Sequence, residues 1–162
     1  MFAMSDVVYA PNRDYPDDLK QSIFLAGSID MGNAYDWQQQ VIDAFKDING
    51  IRFFNPRRND WDSSWEQSID NPEFVEQVNW ELDHIKFADI MVVVFDPLGA
   101  APITLMELGH SVATRTKHGL FVCCPEGFWR KGNVDVLCKR HKIPVYNNLD
   151  DMIKALRDEV VF

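Results

Sequence analysis

Ile90-Met91-Val92-Val93-Val94-Phe95 is the stretch that decides the fold. Strands with one wet face alternate apolar and polar side chains. This run is apolar throughout, as the central strand of a parallel sheet should be, buried on both faces. Working outward, Ser22-Ile23-Phe24-Leu25-Ala26, stopped by Gly27, reads as a buried first strand. Ile51-Arg52-Phe53-Phe54, closed by Asn55-Pro56, reads as a second. On the other side, Gly119 to Cys124 reads as a fourth strand and Ile143-Pro144-Val145-Tyr146 as a short final one. Helical spacing connects them. Trp37, Val41, Ile42, Phe45 and Ile48 predict a helix from about Ala34, ended by Asn49-Gly50. Pro72 suits the first turn of another, running through Phe74, Val78, Leu82 and Ile85. Further helices are expected from Pro102 to about Thr116, from Asn133 to Lys139 and from Asp150 to Val160. Strands alternating with helices imply an α/β three-layer sandwich. The expectation is a five-stranded parallel sheet in the flavodoxin-like order 2-1-3-4-5. Residues 1–20 are polar and carry Pro11 and Pro16, and read as a loosely packed lead-in to a single domain over 21–162.

Composition narrows the function. The 162 residues are 46% hydrophobic and 25% charged, ordinary values for one globular domain able to bury a core without disulfides or a structural metal. A net charge of −9 repels phosphate backbones and argues against a nucleic acid polymer as partner. Cys123, Cys124 and Cys138 are odd in number and lack ligand spacing, which suggests reduced thiols and a cytoplasmic setting. The four histidines form no metal-binding cluster, and no apolar run is long enough for a membrane. The first residues lack the basic start and apolar stretch of a secretion signal.

In open parallel sheets, ligands bind beyond the carboxyl ends of the strands where the strand order reverses. Here that crevice is expected between the first and third strands. It is bordered by Gly27-Ser28-Ile29-Asp30, by Asn55 to Asp62 and by Asp96 to Glu107. The first of these loops is neither GxGxxG nor a Walker A loop, so neither a dinucleotide nor any other cofactor is indicated. Arg57 to Asp70 is long for a connection and rich in Trp, as functional loops often are. Glu107 falls near the start of the helix that opens at the crevice, where the helix dipole favours an ionised carboxylate. Such a carboxylate can attack an electrophilic carbon. By position alone, Glu107 reads first as a solvated first-turn glutamate. Gly109 is expected to let another element approach the helix closely.

Phe24-Leu25-Ala26-Gly27, Ala88-Asp89-Ile90 and Met106-Glu107-Leu108-Gly109 resemble the nucleoside 2-deoxyribosyltransferases and the related deoxynucleoside monophosphate N-glycosidases. Asn55 to Asp62, Gln77-Val78-Asn79-Trp80-Glu81 and Pro125 to Val134 resemble the branch of that family found in phages and microbes. The resemblance implies that Glu107 is the nucleophile, holding deoxyribose as an ester between two inversions, and that Glu81 contacts the departing base. It implies that Gly27, Ser28, Asp30, Asn59, Asp60, Asp62, Asp96 and Thr104 line the substrate site. Trp37, Trp61, Trp65 and Trp80 are candidates to stack on a base, and Trp61 is the best of them because it sits between Asp60 and Asp62 in the long loop. It also implies a homo-oligomer in which a neighbouring subunit brings Asn133 and Asp135 to the site. Asn133 reads equally as the N-cap of the helix after the fourth strand. Two positions depart from the family. Phe24 stands where many relatives have an orienting tyrosine, and Ala101 where a polar residue contacts the sugar 5′ end. The expected partners are a nucleoside and a free nucleobase.

Three other readings stay open. Water could resolve the ester, making the protein a nucleoside or 5′-monophosphate N-glycosidase. In the second case Arg57-Arg58 is the basic pair available for phosphate, although it reads as readily as a solvated pair contacting Asp60 or Asp62. The pocket could belong to a non-catalytic sensing module. A phosphoacceptor receiver using Asp96 would need paired acids after the first strand, where Asp30 stands alone.

Overall fold

A sheet that is apolar on both faces must be covered twice, and the computed structural model of the chain shows two helical layers doing so. It describes residues 6–29, 35–58, 60, 62, 64–115 and 119–160. In chain order the elements are β1 (Asp6–Tyr9), β2 (Gln21–Gly27), α1 (Trp37–Asp43), β3 (Ile51–Asn55), α2 (Pro72–Phe87), β4 (Ile90–Val94), α3 (Pro102–Thr114), β5 (Leu120–Cys123), α4 (Lys131–Arg140), β6 (Val145–Tyr146) and α5 (Leu149–Val160). The sheet has six strands in the order β1-β3-β2-β4-β5-β6, and every pairing is parallel.

The central pair is β2 with β4, in register from Ile23 opposite Ile90 to Gly27 opposite Val94. Alternate residues feed two cores. Phe24, Ala26, Met91, Val93 and Phe95 pack with Trp80 and Ile85 of α2, Leu108 and Val112 of α3, and Val134 and Cys138 of α4. Ile23, Leu25, Ile90, Val92 and Val94 pack with Trp37, Val41 and Ile42 of α1 and with Met152, Ile153 and Leu156 of α5. Phe24 and Trp80 are therefore core residues with ring centroids 6.1 Å apart, and Trp37 is core on the opposite face.

Six strands replace the expected five because part of the polar lead-in is β1, paired with β3 from Asp6 opposite Arg52 to Tyr9 opposite Asn55. The reason is electrostatic. Arg52 is buried, and its guanidinium donates to Asp6, to Asp18 at 3.1 Å and to the Pro16 carbonyl at 2.8 Å. A buried cation needs such partners, and the segment before β2 supplies them. Tyr15 lies over the same guanidinium, and its hydroxyl meets His84 Nε2 at 2.8 Å. The first helix is also shorter than expected, ending at Asp43 and continuing as turns to Asp47. Gly50, at φ +80°, makes the left-handed bend that returns the chain to β3.

Gly27 ends β2 directly beneath the Trp37 indole. A Cβ there would lie 2.3 Å from the indole ring and 2.4 Å from the Val94 carbonyl oxygen. The close approach lets Trp37 Nε1 donate to the Ser28 carbonyl at 3.0 Å. Gly27→Ala should therefore lower stability by about 2–4 kcal/mol, because the Val94 backbone cannot yield without breaking the central pair. Urea unfolding of the variant beside the parent protein measures it.

Candidate functional site

The carboxyl ends of β2 and β4 are tied together before any ligand is considered. Ser28 N–H donates to the Val94 carbonyl at 3.0 Å, and the buried Ser28 hydroxyl accepts from Asp96 N–H at 3.0 Å. Asp96 is turned onto its own loop, where Oδ1 accepts from Leu98 N–H at 2.9 Å. Ser28 and Asp96 thus brace the floor where the two chains diverge. Gly27 makes room for Trp37.

α3 rises from this floor. Its N-cap position is Ala101, buried, left-handed at φ 45° and ψ 51°, with no side-chain cap. Pro102 follows with no N–H to satisfy. Thr104 and Glu107, three residues apart on one face, are both buried, and Glu107 is only 5% exposed. Glu107 is therefore an enclosed second-turn residue, not a solvated first-turn one. Gly109 differs from expectation: a Cβ there would meet nothing within 4 Å, so no element uses the gap.

α2 brings up the facing side. Glu81 is partly buried and feels the charge of Glu107 across the gap between the helices. Burial holds the Glu107 carboxyl at a pKa of about 7, against 4.5 for a free glutamate. The same cause, followed by repulsion from Glu107 and opposed by a hydrogen bond from Gln77, pushes Glu81 well above the carboxylate range. The expectation that the helix dipole would keep Glu107 ionised is thus corrected, because loss of hydration outweighs the dipole here. Two neighbouring carboxyls whose charges repel favour a state with one protonated and the other ionised, which can divide the work of nucleophile and proton donor.

The loop after β3 closes the third side. Asn55 Oδ1 accepts from Arg57 N–H at 3.0 Å, and Gln77 Nε2 donates to the Pro56 carbonyl at 3.2 Å. Arg58 grips Asp60 through Nε and Nη2, both at 2.9 Å, and donates to Gln77 through Nη1 at 3.2 Å. That bidentate pair holds Asp60 below the usual carboxylate range. Asp60 and Asp62 are both exposed, and Asp62 accepts from the Ser64 backbone and hydroxyl. Trp65 is half-buried, with the Arg58 guanidinium over its ring at 5.1 Å.

Of the sequence candidates, Ser28 and Asp96 meet at the ends of β2 and β4, Thr104 and Glu107 share the buried face of α3, and Glu81 lies within reach of the Glu107 charge, with Gly27 ending β2. Asp30, Asn59 and Trp61 lie outside the described residues. Trp37 and Trp80 are core side chains rather than stacking surfaces. Asn133 is exposed and lies inside α4, whose N-cap position is Arg130, so it is no cap. Asp135 accepts from Lys131 Nζ at 3.2 Å. Sequence reasoning missed Gln77, buried one turn before Glu81, although their spacing of four on one helix was the available signal. Among the described residues, no group of three or more His, Cys, Asp or Glu could hold a metal.

A family model described as nucleoside 2-deoxyribosyltransferase like matches residues 20–128, from the start of β2 past the end of β5. The match includes Gly27, Gln77, Glu81 and Glu107 and stops short of α4. A search of curated proteins finds no match.

The raised carboxyl pKa values carry a sign for stability. A carboxyl whose folded pKa lies above its unfolded value gains protons on folding, so stability falls as pH rises from about 4.5 through 7 and levels beyond. Glu107→Gln removes that loss. It should raise stability by roughly 2–3 kcal/mol at pH 8 and leave it nearly unchanged at pH 4. Urea midpoints across that range report the outcome.

Proposed function

We propose, from the premise that the chain belongs to the nucleoside 2-deoxyribosyltransferase-like family, that it cleaves the N-glycosidic bond of a deoxynucleoside and passes the sugar to a second nucleobase. Membership gives the coarser role, nucleoside glycosyl transfer or hydrolysis. The observation that supports the finer reading is the Glu107–Glu81 pair, which α3 and α2 bring together on one side of the sheet.

In this reading the ionised Glu107 oxygen attacks C1′ on the face opposite the base. The C1′–N bond breaks, its electron pair leaves with the base, and protonated Glu81 gives that base its proton. The sugar remains as an ester on Glu107. A nitrogen of the incoming base then attacks C1′, the ester C–O bond breaks, and Glu81 takes up the proton released. Two inversions restore the starting configuration. The absent 2′-hydroxyl eases the cationic transition state, and the carboxylate stabilises it. Thr104, one turn before Glu107, and Ser28 and Asp96 on the floor are the proposed sugar-side contacts. Asp30, Asn59, Asp60, Trp61 and Asp62 are the proposed base-side contacts.

A nucleoside suits the site better than a nucleotide. Arg58, a guanidinium placed for a phosphate, is already committed to Asp60 and Gln77, and Ala101 offers no side-chain donor at the mouth of α3. Hydrolysis is the second reading, supported by the open setting of Asp60 and Asp62, which leaves water a route to the ester.

We further propose that the protein is a homo-oligomer through the outer face of α3. That helix carries one charged residue in thirteen, Glu107, and it points inward. Ile103 and Met106 are exposed on it, with Leu98 exposed just before it. Two copies at net charge −9 repel overall, and an uncharged face lets them approach at least cost, so another copy of that face is the fitting occupant. Contact there would put a neighbour beside the site, as proposed for Asn133 and Asp135.

Incubation with a deoxynucleoside and a second free base, followed by chromatography, tests the activity. Base exchange supports transfer, and free base alone supports hydrolysis. Binding without turnover would favour the sensing module. Glu107→Ala should reduce turnover by at least 10³-fold while the variant stays folded; retained activity would remove Glu107 from the mechanism. For the assembly, Met106→Lys should shift sedimentation toward a single chain.

A further inference from the structure

The connection between β1 and β2 is bonded to β3 and to α2 along its length. Ala10 N–H donates to the Asn55 carbonyl at 3.0 Å where the chain leaves β1. Arg52 of β3 donates to the Pro16 carbonyl at 2.8 Å and to Asp18 at 3.1 Å, and its guanidinium lies against the Tyr15 ring. Ala10 and Tyr15 pack into the same core as Trp80. Held there, residues 10–19 meet one turn of α2 three times. The Trp80 indole N–H donates to the Asn12 carbonyl at 2.8 Å. Arg13 pairs with Asp83 at 2.9 Å. The Tyr15 hydroxyl meets His84 Nε2 at 2.8 Å. His84 Nδ1 lies 2.7 Å from the Trp80 carbonyl, which can only accept. Nδ1 therefore carries the ring proton, and Nε2 accepts from Tyr15. The turn so gripped, 80–84, is the one that bears Glu81.

This connection and α3 lie on opposite flanks of α2. Trp80 packs on Phe24 of β2 and Phe54 of β3, which sets α2 over those two strands. Tyr15 packs on Phe54, on the side of the sheet that ends in β1. α3 touches β2 and leads on to β5, away from β1.

We propose that residues 10–19 are a strap that positions α2: bonded to Trp80, Asp83 and His84, they hold the turn bearing Glu81 toward α3 and Glu107, with Tyr15 as the latch. The inference rests on the reading of Glu81 as the proton donor. The family match begins at residue 20, so membership gives the strap no role. A link between two strands needs no bond to a helix, yet all three of these fall between positions 80 and 84. Reactive groups depend on such support, because a carboxyl is placed only as well as the helix that carries it.

The consequence has a definite sign. A released turn moves away from α3. Glu81 then gains water and feels less of the Glu107 charge, and both changes let it ionise at lower pH. Glu107 is the charge bearing on Glu81 from another element. On α2 itself, Gln77 is engaged with Arg58 and the Pro56 carbonyl, Asp83 with Arg13, and His84 with Tyr15 and the Trp80 carbonyl. Burial keeps the Tyr15 hydroxyl protonated, so its removal acts through movement and not through charge.

Tyr15→Phe keeps the ring on Phe54 and Arg52 and deletes the latch oxygen. Carbon NMR titration of the Glu81 carboxyl should show a midpoint lower by about half to one pH unit. The alkaline limb of kcat should move down with it, and kcat should fall several-fold with KM little changed. An unmoved midpoint overturns the inference, whatever the rate. A lowered midpoint where the parent shows no turnover keeps the strap and sinks the proposed activity. A lowered midpoint with kcat and its alkaline limb unchanged keeps the strap and removes Glu81 as proton donor. Should Tyr15→Phe fail to fold, Arg13→Gln serves in its place. Loss of that cation would by charge alone raise the midpoint, so a fall reports movement of the turn; a midpoint that stays or rises overturns the inference.

Discussion

The parallel pairing of β2 with β4 is the constraint on which the rest of the molecule depends. Neither strand has a face that can meet water, so helices must lie on both sides of the pair. Both strands end together at Gly27 and Val94, and the chain leaves them in opposite directions, toward β3 on one side and β5 on the other. That divergence opens the crevice. Right-handed crossovers put α2 and α3 on the same face as neighbours, which is how Glu81 and Glu107, twenty-six positions apart in sequence, come to repel each other.

The crevice is a place of local cost supported by strong surroundings. Two carboxyls are held out of water, Ala101 keeps a left-handed backbone without glycine's freedom, and α3 starts without a side-chain cap. Around them the bracing is dense. Ser28 joins both strand ends, Trp37 presses on Gly27, and Arg58 and Gln77 hold the loop after β3 to α2. Local cost at one place is thus held by a rigid scaffold around it.

Much of the architecture was legible because hydrophobic pattern and secondary structure are local properties. The runs at 22–26, 51–54, 90–95 and 119–124 became β2, β3, β4 and β5, and Pro72 and Pro102 did open helices. β1 was not legible. Asp6 to Tyr9 is a four-residue strand whose reason for existing is Arg52, more than forty positions later, so no window around it carries the signal. The shortening of α1 likewise depends on packing. For the site, Glu107 and Glu81 came from the resemblance to a family rather than from pattern. Gln77 stood in a segment quoted for the resemblance but received no role, because its partners Arg58 and Pro56 are set by the fold.

The sequence by itself determined the alternation of strands with helices, and so the layers, because these follow from which residue types recur at which spacing; the two carboxylates it offered only through the resemblance. Tertiary structure alone decided how acidic those carboxylates are. Desolvation and repulsion arise only when distant segments enclose a group. The local dipole argument gave Glu107 as an ordinary ionised side chain, whereas burial between α2, α3 and the sheet holds its proton near neutrality.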